Sequence, residues 1–199
     1  MQPGEGVLHW KLRSIVHALS SLPAILATDL DAFWVRDPLP ALLPHLGEYD
    51  YIGSMGALKG QWPADVFRLW ERNFTLNTGW FIARRTMEPV YRHAMQLERG
   101  GCSGKRGDCN DQTAVNQQLA YASGLDGPSH WQRQPRSAYP IEFAATLPSA
   151  PMLRLAVVSR GFVCRGNCDK LSGRDAAVMH VHHDRPLRVR HPHHPCTPN

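Results

Sequence analysis

The sequence has no apolar run approaching the roughly 18 to 20 residues that span a bilayer, which excludes a membrane-spanning helix within it. Its opening residues, MQPGEGVLHWKLR, lack the apolar core of a signal peptide. It contains no internal repeat. Charged residues make up only 20% of the chain, so it is no disordered polyelectrolyte. The net charge is +5, yet Lys11, Arg13, Arg36, Arg68, Arg84, Arg85, Lys105 and Arg106 are scattered along the chain. They neither line one helix nor interleave with aromatics, which argues against a nucleic-acid partner.

What is present is one domain's worth of chain: 199 residues, 43% of them hydrophobic, enough to bury a single core. Four of the five cysteines form two local pairs in Gly-rich loops, GGCSGKRGDCN (Cys102, Cys109) and VCRGNC (Cys164, Cys168); the fifth is Cys196. Such pairs suit short disulfide-closed loops and an oxidising lumen. A zinc site is the competing reading, because Cys164 and Cys168 lie upstream of His180 and His182, but the spacing fits no familiar finger. Asn73-Phe74-Thr75 is a glycosylation sequon, usable only in the secretory pathway. Secretory features without a signal peptide lead to the expectation of a truncated N-terminus.

Along the chain, Leu12, Ile15, Val16 and Leu19 form one helical stripe, stopped at Ser21-Leu22-Pro23. The AILATDL strand follows. PLPALLPHL reads as a short proline-opened helix or turn with Asp37 as a cap. EYDYIGSM and NTGWFIARR read as strands, the latter opened by Asn-Thr-Gly. Met87, Val90, Tyr91, Ala94 and Leu97 share a helical face, and NDQTAVNQQLAYAS forms a further helix with Asn110 or Asp111 near its start. Residues 124–151 suit a long surface segment, whereas LRLAVVS and AAVMHVHH are expected strands. Alternating helices and strands indicate an α/β fold.

Four constellations can carry chemistry. Asp29 and Asp31 leave a strand end at i and i+2, on one side, where two carboxylates can approach a hard cation. Asn77-Thr78-Gly79 places a glycine where backbone can approach a ligand. Asp111-Gln112 offers a carboxylate and an amide at a helix start. His180 offers a neutral imidazole to complete a metal shell. Taken singly, each has an ordinary structural explanation: a solvated strand end, a turn, a helix cap and a histidine-rich tail.

Their order is more informative. The succession WKLRSIVHALSSLPAILATDLDAFWVRDPLP, NTGWFIARRT, NDQTAVNQQL, AVMHVHH resembles the nucleotide-diphospho-sugar transferases of glycosyltransferase family 77, GT-A-type enzymes that include plant and algal xylosyl-, galactosyl- and arabinosyltransferases. The resemblance covers residues 10 to 183, with 56 to 76 and 124 to 151 matching poorly. It implies a GT-A type, Rossmann-like α/β sandwich with a mostly parallel central sheet over 1–183, while 184–199 reads from its composition as a His/Pro-rich flexible tail. It further implies retaining transfer of a pentose or galactose from a nucleotide-diphospho-sugar to a glycan, glycoprotein or cell-wall polysaccharide acceptor in the Golgi lumen, with Mn²⁺ or Mg²⁺ as cofactor.

By that resemblance Asp31 ligates the metal, Asp29 bridges towards ribose or metal, and His180 is the late metal or diphosphate ligand. Asn77, Thr78 and Gly79 line the nucleotide-sugar pocket, and Asp111 and Gln112 sit near the anomeric carbon. The chain departs from the family in two places. Only about 28 residues precede Asp29, too few for the nucleoside-binding βαβ unit, and Asp184-Arg185-Pro186 stands where a Lys would follow the late histidine. The expectation is therefore a core lacking its nucleoside-binding entry, with a membrane anchor only in a longer form. The rival readings are a secreted, disulfide-looped binding module or an inactive transferase fragment, and a haloacid-dehalogenase-type phosphatase, disfavoured by Phe33 two residues after the second Asp.

Overall fold

The computed structural model describes residues 7–58, 74–100, 109–122, 141–145, 152–158, 163–165 and 177–180. Helix α1 (Val7–Ser21) leads into strand β1 (Ala24–Thr28), then β2 (Ala32–Trp34), the four-residue α2 (Leu39–Leu42), β3 (Tyr51–Leu58) and β4 (Phe74–Arg84). Helices α3 (Glu88–Gly100) and α4 (Asp111–Ala122) come next. Four strands follow: β5 (Ile141–Ala145), β6 (Leu153–Val158), β7 (Val163–Arg165) and β8 (Val178–His180). The tail 184–199, the sequon residue Asn73, and Cys102, Cys168 and Cys196 lie outside the described residues.

Two sheets result, one of five strands in the order β1-β4-β3-β6-β5 and one of three in the order β2-β8-β7. The α/β class is as expected, but the central sheet is mixed and mostly antiparallel rather than mostly parallel. Only β3 and β6 run parallel within it, while β1–β4, β3–β4 and β5–β6 are antiparallel. A parallel neighbour needs a crossover of a dozen or more residues. The expectation of alternation overlooked β5, which pairs with β6 directly, and β2 and β7, which join the smaller sheet.

Strand periodicity explains the layers. Along β6, Leu153, Leu155 and Val157 enter one core, with Ala156 and Val158 in the other; along β4, Phe81 and Ala83 alternate with Trp80 and Ile82. The sheet is buried on both faces, which is why LRLAVV reads as a nearly continuous apolar run. The helical layer covers one face through Leu12, Ile15, Val16 and Leu19 of α1, Val90, Tyr91 and Ala94 of α3, and Val115 and Leu119 of α4. The smaller sheet and α2 cover the other, through Ala32, Leu42, Val163 and Val178.

One irregularity positions the site. On β3 the register passes from Gly53↔Phe81 to Ser54↔Asn77, so Thr78, Gly79 and Trp80 are extra residues bulged out of β4. The Tyr51 ring lies over Gly53, where a Cβ would enter its van der Waals envelope, and the Tyr51 hydroxyl donates to the Asn77 carbonyl at 3.1 Å. Glycine at 53 thus lets the ring lie beside the bulge. Asn-Thr-Gly therefore stands in the middle of a long strand and not at its start.

Candidate functional site

The site grows from the return of the chain after α1. From Lys11 to Ser21 the helix climbs roughly 15 Å, and β1 descends about the same distance from Ala24 to Thr28. The second turn of α1 therefore stands beside the C-terminal end of β1. Arg85 fastens the far end of this hairpin: its guanidinium donates to the carbonyls of Ser21 (2.9 Å) and Leu22 (3.3 Å) at the C-terminus of α1. Beyond Thr28 the Asp29 N–H donates to the Gly79 carbonyl at 2.7 Å, extending the β1–β4 ladder into the bulge. The chain then turns, with the Ala32 N–H donating to the Asp29 carbonyl at 3.0 Å.

This turn corrects the expected placement of the acidic pair. The strand ends at Thr28, so Asp29 and Asp31 are corners of a turn and the two-residue alternation of a strand does not apply to them. The Asp29 carboxylate accepts from Lys11 Nζ at 2.6 Å, and the same nitrogen lies 2.7 Å from the carboxylate of Asp111. Asp31 leads directly into β2, whose register with β8 sets Ala32 opposite His180. Backbone pairing thus brings His180 beside the acidic turn.

Helix α4 supplies the remaining wall. Asn110 caps it, its side-chain oxygen accepting from the Thr113 N–H at 2.8 Å, and Asp111 occupies the first turn, where the helix N-terminus favours a carboxylate. Asp111 also accepts from the Thr78 hydroxyl at 2.8 Å. Asn116, fully buried one turn along from Gln112, meets Leu76 like a neighbouring strand: it accepts from the Leu76 N–H at 2.7 Å and donates to its carbonyl at 2.9 Å. Gln112 accepts from the Thr78 N–H at 3.4 Å, and Asn77 folds back to accept from the Gly79 N–H. Asn116 thus satisfies the Leu76 backbone beyond the end of β1, and Gln112 takes the Thr78 N–H that the bulge leaves outside the β3–β4 register.

The structure therefore gathers Asp29, Asn77, Thr78, Gly79, Asp111 and Gln112 into one cluster and sets the backbone of His180 beside Asp31. Lys11 was absent from the residues expected at the site, although it is the cation that joins two of them. The signal lay in the helical pattern: Lys11 precedes Ile15 by four positions, and a charge beside a buried stripe requires a partner. Among the described residues no three His, Cys, Asp or Glu side chains are gathered as a metal shell. A divalent ion nevertheless suits the donor types at this turn, and the Lys11 ammonium already stands in for a cation at Asp29.

Protonation is biased towards the folded form. Burial lowers the Lys11 pKa, but the Asp111 and Asp29 carboxylates outweigh it and hold the ammonium above its ordinary value of 10.5. Burial raises Tyr51, and burial, then Tyr51 and Asp111, raise Tyr91 well above 10.0. All three hold their protons more tightly when folded. Their contribution to stability is complete below the unfolded values and is lost as pH rises through the folded ones. Urea midpoints are therefore expected to be flat from pH 7 to about 9.5 and to fall above about pH 10. Among the described residues the Tyr91 hydroxyl has no hydrogen-bond partner. Tyr91→Phe should accordingly leave the pH 7 midpoint equal or higher and make the alkaline fall shallower.

No family model matches the chain, and a search of curated proteins finds no match to it. No helix among the described residues is long and apolar enough to cross a membrane.

Proposed function

We propose that the chain is the catalytic core of a metal-assisted, retaining glycosyltransferase of GT-A type, moving a pentose or galactose-class sugar from a nucleotide-diphospho-sugar to a glycan or glycoprotein acceptor. The observation that carries this reading is the convergence of Asp29 and Asp111, from distant stretches of sequence, on the charge of Lys11, with the Thr78 hydroxyl of a third stretch donating to Asp111. A buried carboxylate, a hydroxyl and an amide beside an opened strand form a polar wall suited to the hydroxyls of a sugar. Asp111, at 7% exposure, would act in a setting with little water, where its charge bears strongly on an oxocarbenium-like centre. Gln112 and Asn77 would orient the donor through their amides.

Asp29, Asp31 and His180 would hold Mn²⁺ or Mg²⁺, which when bound supplies positive charge to the diphosphate leaving group. The disulfide at Cys109 supports an oxidising lumen such as the Golgi. The test is release of nucleoside diphosphate from a panel of UDP- and GDP-sugars with Mn²⁺, with and without EDTA. Turnover that disappears with the chelator is expected. Failure of the folded protein to bind or turn over any donor would favour the binding module or an inactive transferase fragment, and phosphate release from a simple monoester would favour the phosphatase.

A further inference from the structure

A single ammonium serving two carboxylates is a device with its own consequence. Lys11 Nζ lies 2.6 Å from Asp29 and 2.7 Å from Asp111, distances of charge-assisted hydrogen bonds to both. Without it, two carboxylates would face the same small volume with no charge between them. The pairs are not equivalent, however. Asp111 is almost wholly enclosed and also accepts from Thr78, whereas Asp29 is one-third exposed and stands at the corner of a turn. The Lys11–Asp111 pair is the anchored one, and the Lys11–Asp29 pair is the one that can open. A four-carbon stem allows the ammonium to leave one carboxylate while keeping the other.

We propose that Lys11 is an internal counter-cation that competes with the divalent ion for Asp29, so that metal enters as the ammonium withdraws towards Asp111. The proposal rests on the reading that Asp29 and Asp31 hold a metal. Lys11 is here a positioning residue: it keeps the carboxylate neutralised and in place until a stronger cation takes it. Its effect on metal affinity has the opposite sign to that of a structural residue. Loss of a structural lysine loosens the site and weakens metal binding, whereas loss of a competing lysine removes a positive charge from beside the ion and strengthens it.

The experiment is calorimetric titration of Mn²⁺ into the wild type, Lys11→Met, Lys11→Arg, Asp31→Asn and the double variant Lys11→Met/Asp31→Asn at low ionic strength. Lys11→Met is expected to tighten Mn²⁺ binding about tenfold or more. Lys11→Arg should stay near the wild type because it keeps the charge, and the double variant should lose the gain. Unchanged or weaker binding by folded Lys11→Met, with wild-type binding abolished by Asp31→Asn, would leave the metal site standing and overturn the competition. No Mn²⁺ binding by any variant would overturn both. Should Lys11→Met fail to fold, the wild type decides: acetylation of Lys11 by limiting acetic anhydride, followed by mass spectrometry, must rise several-fold with saturating Mg²⁺. Unchanged labelling overturns the proposal.

Discussion

Replacing Asp111 with alanine is expected to lower the free energy of unfolding by about 2 kcal/mol and to abolish nucleotide-sugar turnover. Breaking a fully buried ion pair costs roughly 3–5 kcal/mol. Here the loss is smaller because Lys11 retains Asp29 and some contact with water. The Thr78 hydroxyl also loses its acceptor, with the bulge around it. Asp111→Asn separates structure from chemistry: the amide oxygen still accepts from Thr78 and Lys11, so about half of the lost stability should return. If the carboxylate serves the sugar, turnover by Asp111→Asn should remain at least about a hundredfold down, as when a group that stabilises transition-state charge is removed. Turnover that recovers in step with the urea midpoint would reduce Asp111 to a structural role.

Elements governed by local pattern were legible in the sequence. The apolar stripe of α1 and the face formed by Met87, Val90, Tyr91 and Ala94 are buried as their spacing predicts, because helical period and burial depend on a dozen neighbouring residues. Strand order was not legible. The β3–β6 parallel pairing joins residues about a hundred positions apart, and nothing local distinguishes it from an antiparallel partner. Of the smaller sheet, β8 was expected within AAVMHVHH, whereas β2 and β7 were missed because three residues are too short to show a period. Within the site the residues were legible but not their arrangement. The bulge at Thr78–Trp80 carries no signal beyond Gly79, and the turn at Asp29–Ala32 depends on the ladder ending at Thr28.

The buried polar face of α4 shows why these two gaps are connected. Asp111, Gln112, Thr113, Asn116 and Gln117 are all buried, an expensive arrangement for a helix unless each group finds a partner. In sequence Asp111 and Gln112 read as a helix start offering a carboxylate and an amide, and nothing marks Asn116 or Gln117 as buried. In the fold this face completes the opened strand, with Asn116 on Leu76, Gln112 on the Thr78 N–H and Asp111 on the Thr78 hydroxyl. Helix α4 and the bulge therefore form one unit. A substitution at Asn116 should be felt at Thr78, because Asn116 also donates to the Gln112 carbonyl at 2.7 Å and the Gln112 side chain accepts from the Thr78 N–H.

Asp31→Ala should give the opposite pattern from a nearby acid. The Asp29–Ala32 turn is closed by a backbone hydrogen bond, which survives loss of the Asp31 side chain, so the turn should persist and the urea midpoint should fall less than in Asp111→Ala. Metal-dependent turnover should fall by more than about a hundredfold, since losing even an outer-shell partner of a metal costs up to about that much. Asp37→Ala is the matched control. Asp37 accepts from the Leu39 N–H at 2.9 Å at the start of α2, and its loss should cost about 0.5–1 kcal/mol while leaving Mn²⁺ binding and turnover intact. The two acids stand six residues apart in one segment, so a general effect of removing negative charge would move both activities together. Activity lost out of proportion to stability at Asp31, and stability lost without activity at Asp37, is the outcome expected of a metal-holding turn. Equal turnover in the two variants would remove Asp31 from the site.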